Sequence, residues 1–183
     1  FTVATDFANY WQHRIQHEHP ALWPFHAVHH SAEVMTPVTV YRQHPVSDLI
    51  AGLFHSFALG LMSGVAIFAV SDTISVADIG GANLMVVFFN VIGNNLRHSH
   101  VWISYGPVIE HVFSSPAQHQ IHHSRAHEHH NKNYGEIFSL WDWMFGTLYI
   151  PQGREEIAFG LGDADGRPIA QPHDNLRKAL ADP

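Results

Sequence analysis

Two uninterrupted apolar runs dominate the pattern of the chain. The first, LIAGLFHSFALGLMSGVAIFAVS, covers 49–71 and carries no charge over 23 residues. The second, IGGANLMVVFFNVIGNNL, covers 79–96, 18 residues. A helix needs about 20 mostly apolar residues to cross a bilayer. The first run therefore predicts a spanning helix, and the second a shorter, more polar one. Asp72 and Asp78 bracket a turn between them, SDTISVAD. Outside this hairpin the periodicity is that of short helices. In DFANYWQHRIQHEH, Asp6, Tyr10, His13 and His17 recur on one helical face. HAVHH and HQIHH each repeat histidine at i, i+3 and i+4. The pattern predicts an all-α protein, a membrane helical hairpin carrying a histidine-rich helical cap. Residues 1–150 form the main domain and 151–183 a Gly-, Pro- and Asp-rich C-terminal tail. Within the tail, DADG reads as a turn, because it lacks the downstream Glu of a calcium loop. DNLRKAL reads as a short closing helix.

The basic residues sharpen this picture. None falls between Arg42 and Arg97, a gap of 54 residues. A buried hairpin of a soluble domain would be apolar too, but it gives no reason for so long a gap. A bilayer does, since Lys or Arg at the centre of a span costs about 2.5–3.5 kcal/mol. All nine Lys and Arg lie on one side of the hairpin, which the positive-inside rule assigns to the cytoplasm. The hairpin returns the chain to the side it left, so histidines before Arg42 and after Arg97 share one face. The first residues, FTVATDFANYWQHR, have no signal-peptide pattern. They start within a helical periodicity, and further membrane helices are expected upstream. Nine basic against 16 acidic residues give −7, the wrong sign for a nucleic-acid partner. The absence of cysteine excludes disulfides, iron–sulfur ligation and thiol nucleophiles.

Histidine carries the chemistry, with 18 in the chain. Neutral imidazole is the commonest metal ligand and suits iron, zinc and copper. One HxxHH is weak, but two copies and an HxxxH on one side of one membrane point to metal. The ligand candidates are His13 and His17, then His26, His29 and His30, then His119, His122 and His123. Eight imidazoles exceed the four of a structural zinc and imply two ions close together. In RHSH, His98 is favoured over His100 because it lies four residues after Asn94. Asn90, Asn94 and His98 make a polar stripe on the second run. His44 in YRQHP is either a ninth ligand or a helix-boundary residue. His100 and His129 are further candidates, the latter in the loop-like run SRAHEHHNKN with His127 and His130. His19, His55, His111 and His173 are read as structural. Asp142 lies in LWDWMFGTLYIP, a Trp-rich amphipathic stretch suited to a membrane interface.

The ordered set DFANYWQHRIQH, HAVHHS, RQHP, RHSH, SPAQHQIHHS, NKNYG and WDWMFGT resembles the fatty acid hydroxylase/sterol desaturase superfamily, from about Asp6 to Tyr149. The resemblance implies a helical membrane bundle under a cytosolic histidine cap. It also implies a dimetal centre, taken to be two irons with zinc as a substitute, that uses dioxygen and external electrons to hydroxylate or desaturate a lipid. The partners it implies are a lipid substrate, the membrane and an electron-donor protein or reductase. The family ligands fall on the eight histidines above and on His98, with Asp6 orienting a ligand imidazole and Asn94 beside His98. The substrate chain would pass Phe54, Phe57, Phe88 and Phe89. Many members have Asn or Gly at the position of His100 and Asp at that of Asn131. Two other readings follow from the histidines alone. A non-catalytic zinc-binding membrane protein would use the same ligands. A soluble dinuclear hydrolase would want carboxylate ligands, for which Glu18, Glu33 and Glu128 are the only nearby candidates.

Overall fold

The chain is described here from a computed structural model covering residues 2–70, 84, 87–169, 178 and 181. The turn 71–78, His173 and most of the expected closing helix lie outside the described residues, as do the side chains of Phe89 and Asn90. The regular elements among the described residues are all helices. The described residues contain no strand, only the isolated bridges Ser124–Phe159 and Gly162–Pro168.

Six α-helices carry the architecture: α1 (Thr2–Glu18), α2 (Trp23–His30), α3 (Pro45–Val70), α4 (Asn94–Arg97), α5 (Pro116–His122) and α6 (Leu140–Phe145). α3 follows His44, whose Nδ1 accepts from the backbone N–H of Val46 at 3.1 Å, satisfying one free amide of the helix start. It runs 26 residues, about 39 Å at 1.5 Å per residue, against the roughly 30 Å of a hydrocarbon core. Leu49, Leu53, Phe57, Leu61, Val65 and Phe68 all lie exposed along it, Phe68 at 91%. A soluble fold rarely leaves so much contiguous apolar surface uncovered. The length, composition and exposure are those of a helix able to cross a membrane. Ser47 near its start donates to Gln16, tying α3 to the C-terminal end of α1.

The second apolar run enters the described region as a wide π turn, Phe89–Gly93, followed by α4. Such turns often lie beside functional sites, and His98 follows directly. α5 is opened by a capping box. Ser115 Oγ accepts from Gln118 N at 3.2 Å and Gln118 Oε1 accepts from Ser115 N at 3.0 Å. Pro116 stands in its first turn, where a missing N–H costs nothing. α6 stops at Gly146, whose φ of 77° is left-handed. Its rings pack on α1, with Phe7 and Trp141 centred 5.0 Å apart and Tyr10 stacked on Phe145 at 5.5 Å.

Candidate metal centre

Helix geometry decides how the histidines are shared. Residues four apart stand about 40° from each other around an α-helix, and residues three apart about 60° in the opposite sense. Each HxxHH therefore splits. His26 and His30 point one way from α2 and His29 another. His119 and His123 leave α5 together, and His122 departs to the other side. Two groups result, each with its ligand nitrogens within 4.8 Å of one another. The first holds His13, His17, His26, His30 and His122; the second holds His29, His98, His119 and His123. All nine main sequence candidates are thus brought together, five and four.

The others are not. His44 is buried against Phe25, its ring 4.9 Å away, and serves the start of α3. His100 is exposed. His129 packs on Tyr149 at 4.8 Å and sits 3.3 Å from a Glu155 oxygen. Asp6 is a correction. It orients no imidazole; its carboxylate accepts from Ile137 N (2.8 Å), Phe138 N (3.1 Å) and Trp141 Nε1 (2.9 Å). It shares a face with His13, but seven residues span about 10 Å of helix, beyond the reach of a short side chain. Asn94 acts through its backbone, with the carbonyl accepting from His98 Nδ1 at 2.7 Å.

Backbone carbonyls orient the imidazoles. His13 Nδ1 donates to Tyr134 O at 2.9 Å, His122 Nδ1 to Lys132 O at 2.7 Å, and His29 Nδ1 to Arg42 O at 3.2 Å. A carbonyl only accepts, so each of these rings carries its proton on Nδ1 and turns the Nε2 lone pair inward. His98 and His29 then face each other Nε2 to Nε2 at 3.1 Å, a contact that repels unless a cation lies between. In the first group five buried ring nitrogens lack any partner: Nε2 of His17, His30 and His122, and both nitrogens of His26. Buried polar atoms are ordinarily satisfied. Nitrogens bound to one ion at about 2.1 Å stand up to about 4.2 Å apart, close to the spread seen here. The donor set fits metal ions in both groups.

Burial keeps these ligands neutral, the form that binds metal. Loss of solvent lowers His13 to about 3 and His29 to about 4, and holds the other seven well below the usual histidine range. Arg97 adds a buried cation to the second group. Its Nη2 donates to His119 Nδ1 at 2.9 Å, and burial pulls its own pKa down. His29 Nδ1 also lies 3.1 Å from the Gln43 amide nitrogen.

The loop 131–135, NKNYG, acts through its main chain, a role its side chains do not signal. It supplies the carbonyls of both Lys132 and Tyr134 to the first group. Asn131 and Asn133 take left-handed φ of 58° and 56°, a region Asn tolerates. Asp142, fully buried, accepts from Tyr134 N at 2.8 Å and Gly135 N at 2.7 Å. Burial raises Asp142 to about 6. Tyr134 Oη donates to Asn131 Oδ1 at 3.0 Å, so a neutral amide suffices where many members carry Asp. Within α6, Trp143 and Met144 are exposed and Asp142 is buried.

The family profile described as fatty acid hydroxylase matches residues 1–147. The chain belongs to the fatty acid hydroxylase family. Among curated relatives, it is 31% identical over 159 residues to an alkylglycerol monooxygenase of Danio rerio, covering 87% of this chain and 31% of that protein. It is 32% identical to an ornithine lipid hydroxylase of Rhizobium tropici, covering 87% and 44%. It is 29% identical to a Delta(7)-sterol 5(6)-desaturase of Aspergillus fumigatus, covering 94% and 57%. The chain thus spans between about a third and somewhat over half of these relatives. No solved structure matches it. As a fatty acid hydroxylase family member the chain is related to oxidoreductases, and its histidine groups lie inside the matched region.

Proposed function

We propose that this chain is the metal-binding, catalytic part of a membrane-bound di-iron oxygenase. It would hydroxylate or desaturate a lipid with dioxygen and electrons from a separate donor protein. The observation that carries this reading is the pair of buried, neutral, all-imidazole groups joined by one chamber. That chamber, about 130 Å³, is lined by His13 and His26 of the first group and His29, His98 and His119 of the second. The names of the three relatives, all enzymes of lipids, support the substrate class.

Iron bound here supplies activation of dioxygen for oxidation of an unactivated carbon, and zinc can occupy the same ligands. The chain's own residues do the rest. Nine imidazoles hold the ions, and the carbonyls of Tyr134, Lys132, Arg42 and Asn94 fix the ring orientations, as second partners of metal-bound histidine do elsewhere. Asn9, Gln12 and Gln43 rim the chamber and are suited to hold the polar end of a lipid. The exposed faces of α3, Phe57 among them, suit contact with acyl chains. We infer that α3 and the following run form a hairpin across the bilayer, with the histidines on the cytoplasmic side.

The test combines metal analysis with lipid products. Protein produced with iron should hold two ions per chain. Cells carrying it should contain an oxygen-dependent hydroxylated or desaturated lipid that His29→Ala abolishes. One ion per folded chain, or tightly held zinc with no oxygen uptake, would overturn the reading.

A further inference from the structure

A second cavity, about 260 Å³, reaches the first histidine group from another direction. It is lined by His17, His30 and His122, and by Trp23, Arg125 and the 160–164 segment. These three histidines are absent from the lining of the chamber described above, and no histidine of the second group lines this groove. The three are also ones whose Nε2 atoms are buried without any partner. The groove is thus lined by three rings of one ion's ligand set, whose Nε2 atoms lie buried behind its surface.

The walls carry both polar and apolar surface. The 160–164 segment is held against the rest by Arg125 N donating to Ala158 O at 3.0 Å, and by Gly162 packed so closely on Arg125 that a Cβ there would lie 2.8 Å from its carbonyl. Asp163 also lines the groove, but its Oδ1 accepts from Asp165 N and Arg167 N, both at 2.9 Å, and so serves its own turn. Arg125 has no salt bridge among the described residues. A cation in the lining raises the local concentration of small anions.

We propose that this groove is an aqueous port to the first histidine group, binding water and small inorganic anions at the ion held there, independently of the chamber that meets both groups. The proposal rests on metal binding as inferred above. It gives the two ions different exposure to water and small anions: the groove reaches the first and not the second.

Azide is the probe, used on the iron-loaded protein with binding followed by its charge-transfer absorption. Saturable binding at one of the two irons is expected. Ala164→Trp, at an exposed turn on the wall, should slow azide association at least tenfold. Arg125→Glu should slow it severalfold at low salt, with the difference fading as salt rises. Asn9→Trp, which narrows the other chamber, should leave the rate within twofold of wild type. Each variant is scored only with two irons bound, and either wall variant decides alone. Unchanged association in a wall variant, slowing by Asn9→Trp, or no azide binding at all would overturn the port. Wild-type protein that folds but takes up no iron would instead overturn the metal reading.

Discussion

His29→Ala and His122→Ala should remove different ions in a fixed order. The two residues occupy the same i+3 position of their motifs, yet His29 belongs to the group of four and His122 to the group of five. Structural zinc with four ligands binds with about 10–16 kcal/mol, or about 3 kcal/mol per ligand, near 150-fold in affinity. His29→Ala leaves three imidazoles for the second ion. His122→Ala leaves four for the first, as many as the second ion has in the intact protein. Iron per chain is measured after equilibration with chelators of graded strength. His29→Ala should fall to one ion at a chelator strength at which wild type and His122→Ala both keep two. Both variants should lose lipid oxidation, since the reaction needs both ions. Equal sensitivity, the reverse order, or loss of both ions together from His29→Ala would refute the division into five and four.

Three further outcomes follow from particular contacts. Gly135→Ala places a Cβ 2.4 Å from Phe138 O and 2.7 Å from Asp142 Oδ2. Backbone cannot yield there, so a loss of about 2–4 kcal/mol is expected in thermal unfolding, with the first ion released more readily than the second because the 131–135 loop orients its ligands. In metal-free protein His29 is held near 4 and His13 near 3, against about 6.5 unfolded. The unfolded chain therefore binds more protons between these values, and stability must fall as pH drops from about 6.5 toward 4; a melting temperature flat over that window would contradict the burial of neutral imidazoles. Cysteines at Thr73 and Arg125 should label from opposite faces of sealed vesicles, and labelling of both from one face would end the hairpin topology.

Much of the fold and site is legible in local spacing, because the helix period is local. HxxxH on α1 and both HxxHH motifs sit on helices as their spacing predicts, and the long exposed α3 follows from an uncharged run. Spacing along one helix fails where distance along the axis matters, which is why Asp6 shares a face with His13 and never touches it. It also fails for partners supplied by the main chain. Tyr134 and Lys132 orient ligands through carbonyls that any residue would carry, and only the left-handed Asn131 and Asn133 hint at the loop shape. Arg97 is invisible for another reason. Burying a cation is unfavourable in isolation, and the cost is offset here by the Glu136 carbonyl, to which Nη1 donates, and by the nearby Glu136 and Asp6 charges.

The repetition of HxxHH on two helices has its own logic. A single helix offers an i, i+4 pair along one line and an i+3 residue about 100° around from its neighbour at i+4. It cannot close a shell around one ion with all three, but it can touch two ions at once. α2 gives its pair, His26 and His30, to the first group and His29 to the second. α5 reverses this, giving His119 and His123 to the second group and His122 to the first. The two motifs are complementary, and neither owns a metal. The remaining ligands then fall unequally: α1 adds a pair to the first group and His98 one imidazole to the second. The excess of one ligand is thus fixed by adding a helical pair on one side and a single residue after α4 on the other. Moving a histidine by one position in either motif would turn it about 100° around the helix and away from its ion. Exchanging the residues at 29 and 28, for instance, should empty the second group of its only α2 ligand while leaving the first intact.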